Sequence, residues 1–251
     1  ADNGQAAAQW LAEQYTAAAQ AEHLQVRVEL FPHARWTQDS VRVVVECALP
    51  EDQCNDEVLV LGGHIDSVTS STAFTNAPGA DDDASGSACV LEAFRVLAAE
   101  DSAWRPNRRV EFHGYAAEEA GLLGSQEIVQ AFQRNATAVL AMMQLDMTGY
   151  QNGAPALIRD FTNDAVTDRI AAIGDAIGFT FINSNCGYGC SDHASWHRAG
   201  YAAAFPFEAA FNKINPAIHT VNDKIDKITA KHMEGFAQVA TTWVYDLSSE
   251  I

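Results

Sequence analysis

The sequence predicts an α/β fold: a single globular domain spanning 1–251, with a mostly parallel central β-sheet of mixed edges sandwiched by helices. Three observations carry that expectation. Short runs rich in β-branched residues alternate with longer segments whose apolar residues recur at helical spacing. One such run, "EVLVLGGHID", is almost continuously apolar, as a strand covered on both faces would be. The 251 residues are 48% hydrophobic, enough for one large core, and no linker, repeat or low-complexity stretch divides them.

The elements follow in order. "GQAAAQWLAEQYTAAAQAE" is alanine-rich with apolar residues at helical spacing, so it reads as a helix. "SVRVVVECAL" and "EVLVLGGHID" are strands. "ASGSACVLEAFRVLAAE" is a helix that must stop before Pro106. "RRVEFHGYAAEE" is a strand, "GLLGSQEIVQAFQ" a helix and "TAVLAMMQLDMTGY" a strand. "PALIRD", a helix over "NDAVTDRIAAIGDAIG", the strand "AAAFPFEA" and a helix from Thr229 to Leu247 complete the series.

Thirty-three acidic against fifteen basic residues give a formal charge of -18. That balance argues against nucleic acid and anionic membranes as partners. It suits cationic ligands, including the free ammonium end of a peptide, and equally a soluble extracellular surface. No apolar run is long enough to span a membrane, and no charged-then-apolar leader opens the chain. Of five cysteines, Cys186 and Cys190 are spaced to close a small loop. Cys47 and Cys54 flank a proline turn, and their pairing stays open. Cys89 reads as a buried thiol. A disulfide would imply an oxidising compartment.

Chemistry collects where strands end. In open α/β sheets, ligand sites form beyond the carboxyl ends of the strands. His64 and Asp66 follow "VLVLGG", Glu118 and Glu119 follow "VEFHGYAA", and Asp146 closes "VLAMMQL". Asp81, Asp82 and Asp83 open the next helix. Capping and the helix dipole account for one aspartate well and three poorly. Like charges this close repel unless something positive sits among them. In extended backbone, Glu118 and Glu119 would point to opposite sides. One could then bind a metal while the other acts as base on a water.

A second histidine would complete such a site. His219, in the proline-turn loop "NPAIHTVND", and His193, in "CSDHASWH", both qualify, and spacing does not decide between them. Mixed histidine and carboxylate donors suit zinc, manganese or cobalt. The chain has no HExxH helix, phosphate-cradling glycine loop or nucleophile elbow.

Six motifs in order, "GGHIDS", "APGADDDASG", "YAAEEAGLLGS", "QLDMTGY", "CGYGCSDHASW" and "NPAIHT", together resemble the di-zinc bacterial leucyl aminopeptidases, especially the secreted enzyme of marine vibrios. The resemblance covers almost the whole chain and implies a zinc-exopeptidase fold with two zinc ions per chain. It implies metal ligands His64, Asp82, Glu119, Asp146 and His219, with Asp82 bridging, and Glu118 as general base to a metal-bridging water. Asp66 would hold His64, Tyr188 would bond the oxyanion, and a Cys186–Cys190 disulfide would present that tyrosine.

The same resemblance places Met147, Ile158, Phe207, Phe211, Ile214 and Ile218 around the substrate side chain. Ile214 stands where the vibrio enzyme has tyrosine. Cys47 and Cys54 are not typical of that enzyme. The implied protein is a secreted, monomeric enzyme that releases N-terminal leucine and other large apolar residues from peptides with a free N-terminus. A glutaminyl cyclase, carboxypeptidase or deacylase on the same scaffold, or a metal-storage domain, fits the five ligands plus Glu118 less well.

Overall fold

The computed structural model describes residues 2–70 and 76–249. The chain runs α1 (Asp2–Ala18), β1 (Val26–Phe31), β2 (Ser40–Val45), β3 (Asn55–His64), α2 (Ala84–Leu97), β4 (Arg108–Tyr115) and α3 (Leu123–Arg134). It continues with β5 (Val139–Gln144), β6 (Ala156–Ile158), α4 (Asp164–Ile177), β7 (Ile182–Ser184), α5 (His193–Arg198), β8 (Ala203–Phe207) and α6 (Ala230–Ser249). The described strands form one sheet in the order β1-β2-β4-β3-β5-β8-β6-β7. β3 lies between β4 and β5, parallel to both, and β8 extends the parallel set. The margins are mixed, with β1–β2–β4 and β6–β8 antiparallel. The α/β class and the mixed edges are those expected.

β3 shows why its sequence does not alternate. Leu59 and Leu61 face a core with Phe94, Phe112, Phe236 and Trp243, built with α1, α2 and α6. Val58 and Val60 face the other way, onto Ile128, Phe132 and Trp196 of α3 and α5. Both faces are buried from Val58 to Leu61, so that run is apolar throughout. α2 starts where Asp83 accepts the Gly86 amide at 2.9 Å, a capping bond.

The structure departs from the sequence reading in places with identifiable causes. The strands expected to run through Glu119 and Tyr150 stop at Tyr115 and Gln144. Beyond those points the backbone turns, with Ala117 at φ 55° and Met147 at φ 57°. β1, β7 and α5 were not expected. β1 is a half-exposed edge strand whose apolar residues alternate over only six positions. β7 has three residues and α5 six, too few for a periodic signal.

Both candidate disulfides are formed, Cys47–Cys54 and Cys186–Cys190, while Cys89 is free and buried. No described helix is long and apolar enough to cross a membrane. The Cys47–Cys54 link adjoins Asn55, the first residue of β3, whereas His64 is the last. It therefore lies roughly 30 Å from the strand end that carries the site. Replacing both cysteines with serine is expected to lower stability by about 2–3 kcal/mol in urea titrations.

Candidate active site

The three neighbouring parallel strands deliver their side chains to one edge. His64 ends β3, Glu118 and Glu119 occupy the turn after β4, and Asp146 lies two residues beyond β5. Asp82 arrives just before α2, and His219 from the loop after β8. His64 Nε2 is 3.1 Å from Asp82 Oδ1 and 3.6 Å from Asp146 Oδ1. His219 Nε2 is 3.1 Å from Asp82 Oδ2 and 3.1 Å from Glu119 Oε2. Asp82 thus turns one oxygen to each of two ligand sets, His64/Asp82/Asp146 and Asp82/Glu119/His219.

A layer of acids bonded to backbone amides fixes this arrangement. Asp83 accepts the amides of His64 (2.9 Å), Gly86 (2.9 Å) and Met147 (3.0 Å). It therefore ties β3, α2 and the Asp146 segment to one carboxylate. Asp66 accepts the amides of Glu118 (3.0 Å) and Glu119 (3.1 Å). The contact it makes to His64 Nδ1 is through its main-chain carbonyl, at 3.0 Å, with the carboxylate farther away at 3.5 Å. Asp66 thus positions the glutamate pair as well as the histidine ring.

Asp81 is neither a cap nor solvated. It is fully buried and accepts the Gly149 amide (3.0 Å) and Asn215 Nδ2 (2.9 Å). Asp223 holds the amides of Asp81 and Asp82. Close packing enforces the design: a Cβ on Gly63 would lie 2.9 Å from the Leu145 carbonyl oxygen. Ala117, Met147 and His219, each at or beside a site residue, all adopt positive φ. Left-handed backbone at non-glycine residues typically costs about 1–3 kcal/mol and persists where surrounding contacts dictate it.

Burial alone would raise the Asp82 carboxyl, yet hydrogen bonds from His219 and His64 hold it below the usual carboxylate range. Burial pushes the Glu118 carboxyl well up; His64 opposes this, while Asp192, Asp146 and Glu119 reinforce it. Hydrogen bonds to Asp82 and Glu119 carry His219 up to about 10. Glu119 Oε1 and Asp146 Oδ1 are buried with no hydrogen-bond partner among the described residues. Acids crowded around two histidines, with two buried carboxylate oxygens lacking a hydrogen bond among the described residues, fit dications.

Glu118, Glu119, Asp82, Asp146, His219 and Tyr188 line a common cavity of about 280 Å³. Its apolar wall includes Met147, Phe207, Phe211, Ile214 and Ile218. Ile158 belongs to the same apolar cluster behind that wall. Tyr188 stands on the Cys186–Cys190 loop, 57% exposed. His193 goes elsewhere: it is buried, stacks on Phe205 at 4.7 Å and bonds the Asp160 carbonyl oxygen.

Sequence reasoning missed Phe205, which lines the cavity beside Phe207. The period-two relation of these two phenylalanines along β8 was the available signal. It also missed Glu208, which is fully buried and accepts the amides of Tyr150 (2.9 Å) and Asn215 (2.9 Å). A single acid ending an apolar strand gave no sign of this.

Burial, and after it the Asp81 carboxylate, pushes Glu208 up to about 10. The folded protein therefore keeps a proton that the unfolded chain releases near the ordinary glutamate value. This contribution to stability is complete below that value, roughly pH 4, and is lost as pH rises towards about 10. Glu208→Gln cannot titrate. Its melting temperature relative to the unaltered protein is expected to rise steadily between about pH 5 and about pH 9; a constant difference would contradict the assignment.

Residues 43–244 match peptidase family M28. Leucine aminopeptidase 1 of Coccidioides posadasii is 37% identical over 98% of this chain, which spans 66% of that relative's length. The LapA aminopeptidase of Legionella pneumophila superposes with a TM-score of 0.90 at 34% identity, covering 100% of this chain and 67% of its own. An aminopeptidase from Aneurinibacillus sp. strain AM-1 gives 0.72 at 30% identity, covering 84% and 48%.

Proposed function

The chain belongs to peptidase family M28, and from that premise we propose that it is a secreted, monomeric di-zinc aminopeptidase that releases N-terminal leucine and other large apolar residues from peptides. The observation carrying this reading is the placement of Asp82, one oxygen towards each ligand set, in a cavity that also holds Glu118 and an apolar wall. His64, Asp82 and Asp146 would hold one zinc, and Asp82, Glu119 and His219 the other. Bound there, zinc supplies positive charge that polarises a carbonyl and lowers the pKa of water.

The protein's own groups supply the rest. Asp66's carbonyl accepts from His64 Nδ1, which leaves Nε2 to present its lone pair to a cation. Glu118 takes the proton of the attacking water and returns it to the departing amine. Burial holds its carboxyl above the usual glutamate range, which strengthens it as a proton acceptor. The Tyr188 hydroxyl donates to the oxyanion. Met147, Phe207, Phe211, Ile214 and Ile218, backed by Ile158 and joined by Phe205, receive the apolar side chain.

The acidic cavity favours a free ammonium and disfavours a substrate carboxylate, and the same charge disfavours nucleic acid and anionic membranes. Two disulfides fit an oxidising, extracellular setting.

Leucine p-nitroanilide and its N-acetylated analogue test the exopeptidase reading. Only the free-amine compound is expected to be cleaved; equal cleavage of both would contradict it. Glu118→Gln is expected to lower kcat by about 10²- to 10⁴-fold while the protein keeps its fold and its metal. Near-normal turnover in that variant would remove Glu118 from the role of base.

A further inference from the structure

Tyr188 needs support that its own contacts do not give. Its side chain is more than half exposed, and its ring contact is an edge-to-face approach to Phe211 with centroids 6.2 Å apart. The position of its hydroxyl therefore depends on the backbone of the Cys186–Cys190 loop. The disulfide closes that loop, and its two cysteines pack against the apolar cluster of Met147, Ile158, Phe205 and Phe207. Gly187, with φ 86°, lets the loop turn tightly just before the tyrosine.

One residue outside the loop grips its leading end and also bonds the helix that follows it. Asp160 Oδ2 accepts the amide of Cys186 at 2.6 Å and that of Gly187 at 3.1 Å. Consecutive amides on one ionised oxygen form a charge-assisted pair that fixes direction as well as distance. The main-chain oxygen of Asp160 accepts from His193 Nε2 at 3.1 Å, three residues beyond Cys190. His193 is itself immobilised by burial and by its stack on Phe205. Asp160 follows β6 by two residues, and Ile158 of that strand lies in the apolar cluster of the cavity. The loop is thus referenced to the wall that receives the substrate side chain.

We infer that Asp160 is a positioning residue for the reaction, setting the Tyr188 hydroxyl through the amides of Cys186 and Gly187 without touching substrate. This rests on the reading of Tyr188 as oxyanion donor. Misplacing a catalytic group by about 1 Å can cost 10²-fold in rate, so the effect belongs in kcat. The apolar wall is unchanged, so KM should hold.

A double-mutant cycle on leucine p-nitroanilide tests the inference, with Asp160→Ala, Tyr188→Phe and their combination. Asp160→Ala is expected to lower kcat about 10- to 100-fold with KM within about 3-fold. In the Tyr188→Phe background the same substitution is expected to cost no more than about 3-fold. Asp160→Asn keeps an oxygen able to accept both amides and is expected to restore most of the rate.

An equal loss in both backgrounds, or a KM that rises in step with the fall in kcat, overturns the role of Asp160 alone. Tyr188→Phe with normal turnover overturns the reading of Tyr188 and this inference with it. If Asp160→Ala does not fold, Asp160→Ser, too short to reach both amides, carries the same cycle with the same outcomes.

Discussion

The electrostatics of one carboxylate govern the rest of this structure. Asp82 lies buried between two histidines and is flanked by further acids. Several negative charges this close, largely withdrawn from water, are tolerable only if each is answered by a donor or a cation. The protein answers most of them with backbone amides. Asp83, Asp66, Asp81 and Asp223 each accept from amides at strand ends or in neighbouring loops. Those bonds join β3, α2, the segment after β5 and the loop carrying His219 into one frame.

The same bonds separate supporting acids from working ones. Carboxylates saturated by amides are fixed and have little left to offer a ligand. Glu119 and Asp146 each retain a buried oxygen with no hydrogen bond among the described residues. Glu118 is held by its amide and keeps its carboxylate free at the cavity. Metal-assisted hydrolysis needs this division: rigid donors for cations, and beside them a base that can gain and lose a proton. Met147, Phe205 and Phe207 line the same cavity, so on the proposed reading chemistry and side-chain recognition would share one space.

Much of this was legible in the sequence because the fold's logic is local. A continuous apolar run marks a doubly covered strand, and β3 is one. Polar residues just past such runs mark the ligand edge, and His64, Glu118, Glu119 and Asp146 all follow that pattern. Other features depended on contacts far apart in the chain. Nothing in the sequence set Asp81 apart from its two neighbours, yet Gly149 and Asn215 bury and bond it. Asp66 read as a support for His64; nothing nearby disclosed that its carboxylate also holds Glu118 and Glu119. The choice between His219 and His193 could not come from spacing, because His219 lies in the loop after β8 and His193 opens α5, and the tertiary fold sets where each ends up. β7 and α5, of three and six residues, carried no periodicity to read.

The central claim is that Asp82 is shared between two dications. Zinc titration of chelator-treated protein tests it most directly, with bound metal counted by elemental analysis and alongside it the same titration of Asp82→Asn. The account predicts two zinc ions per chain in the unaltered protein, a higher melting temperature on binding, and tight binding of both ions lost in the variant. Saturation at one zinc, or a variant that still binds two tightly, would contradict it.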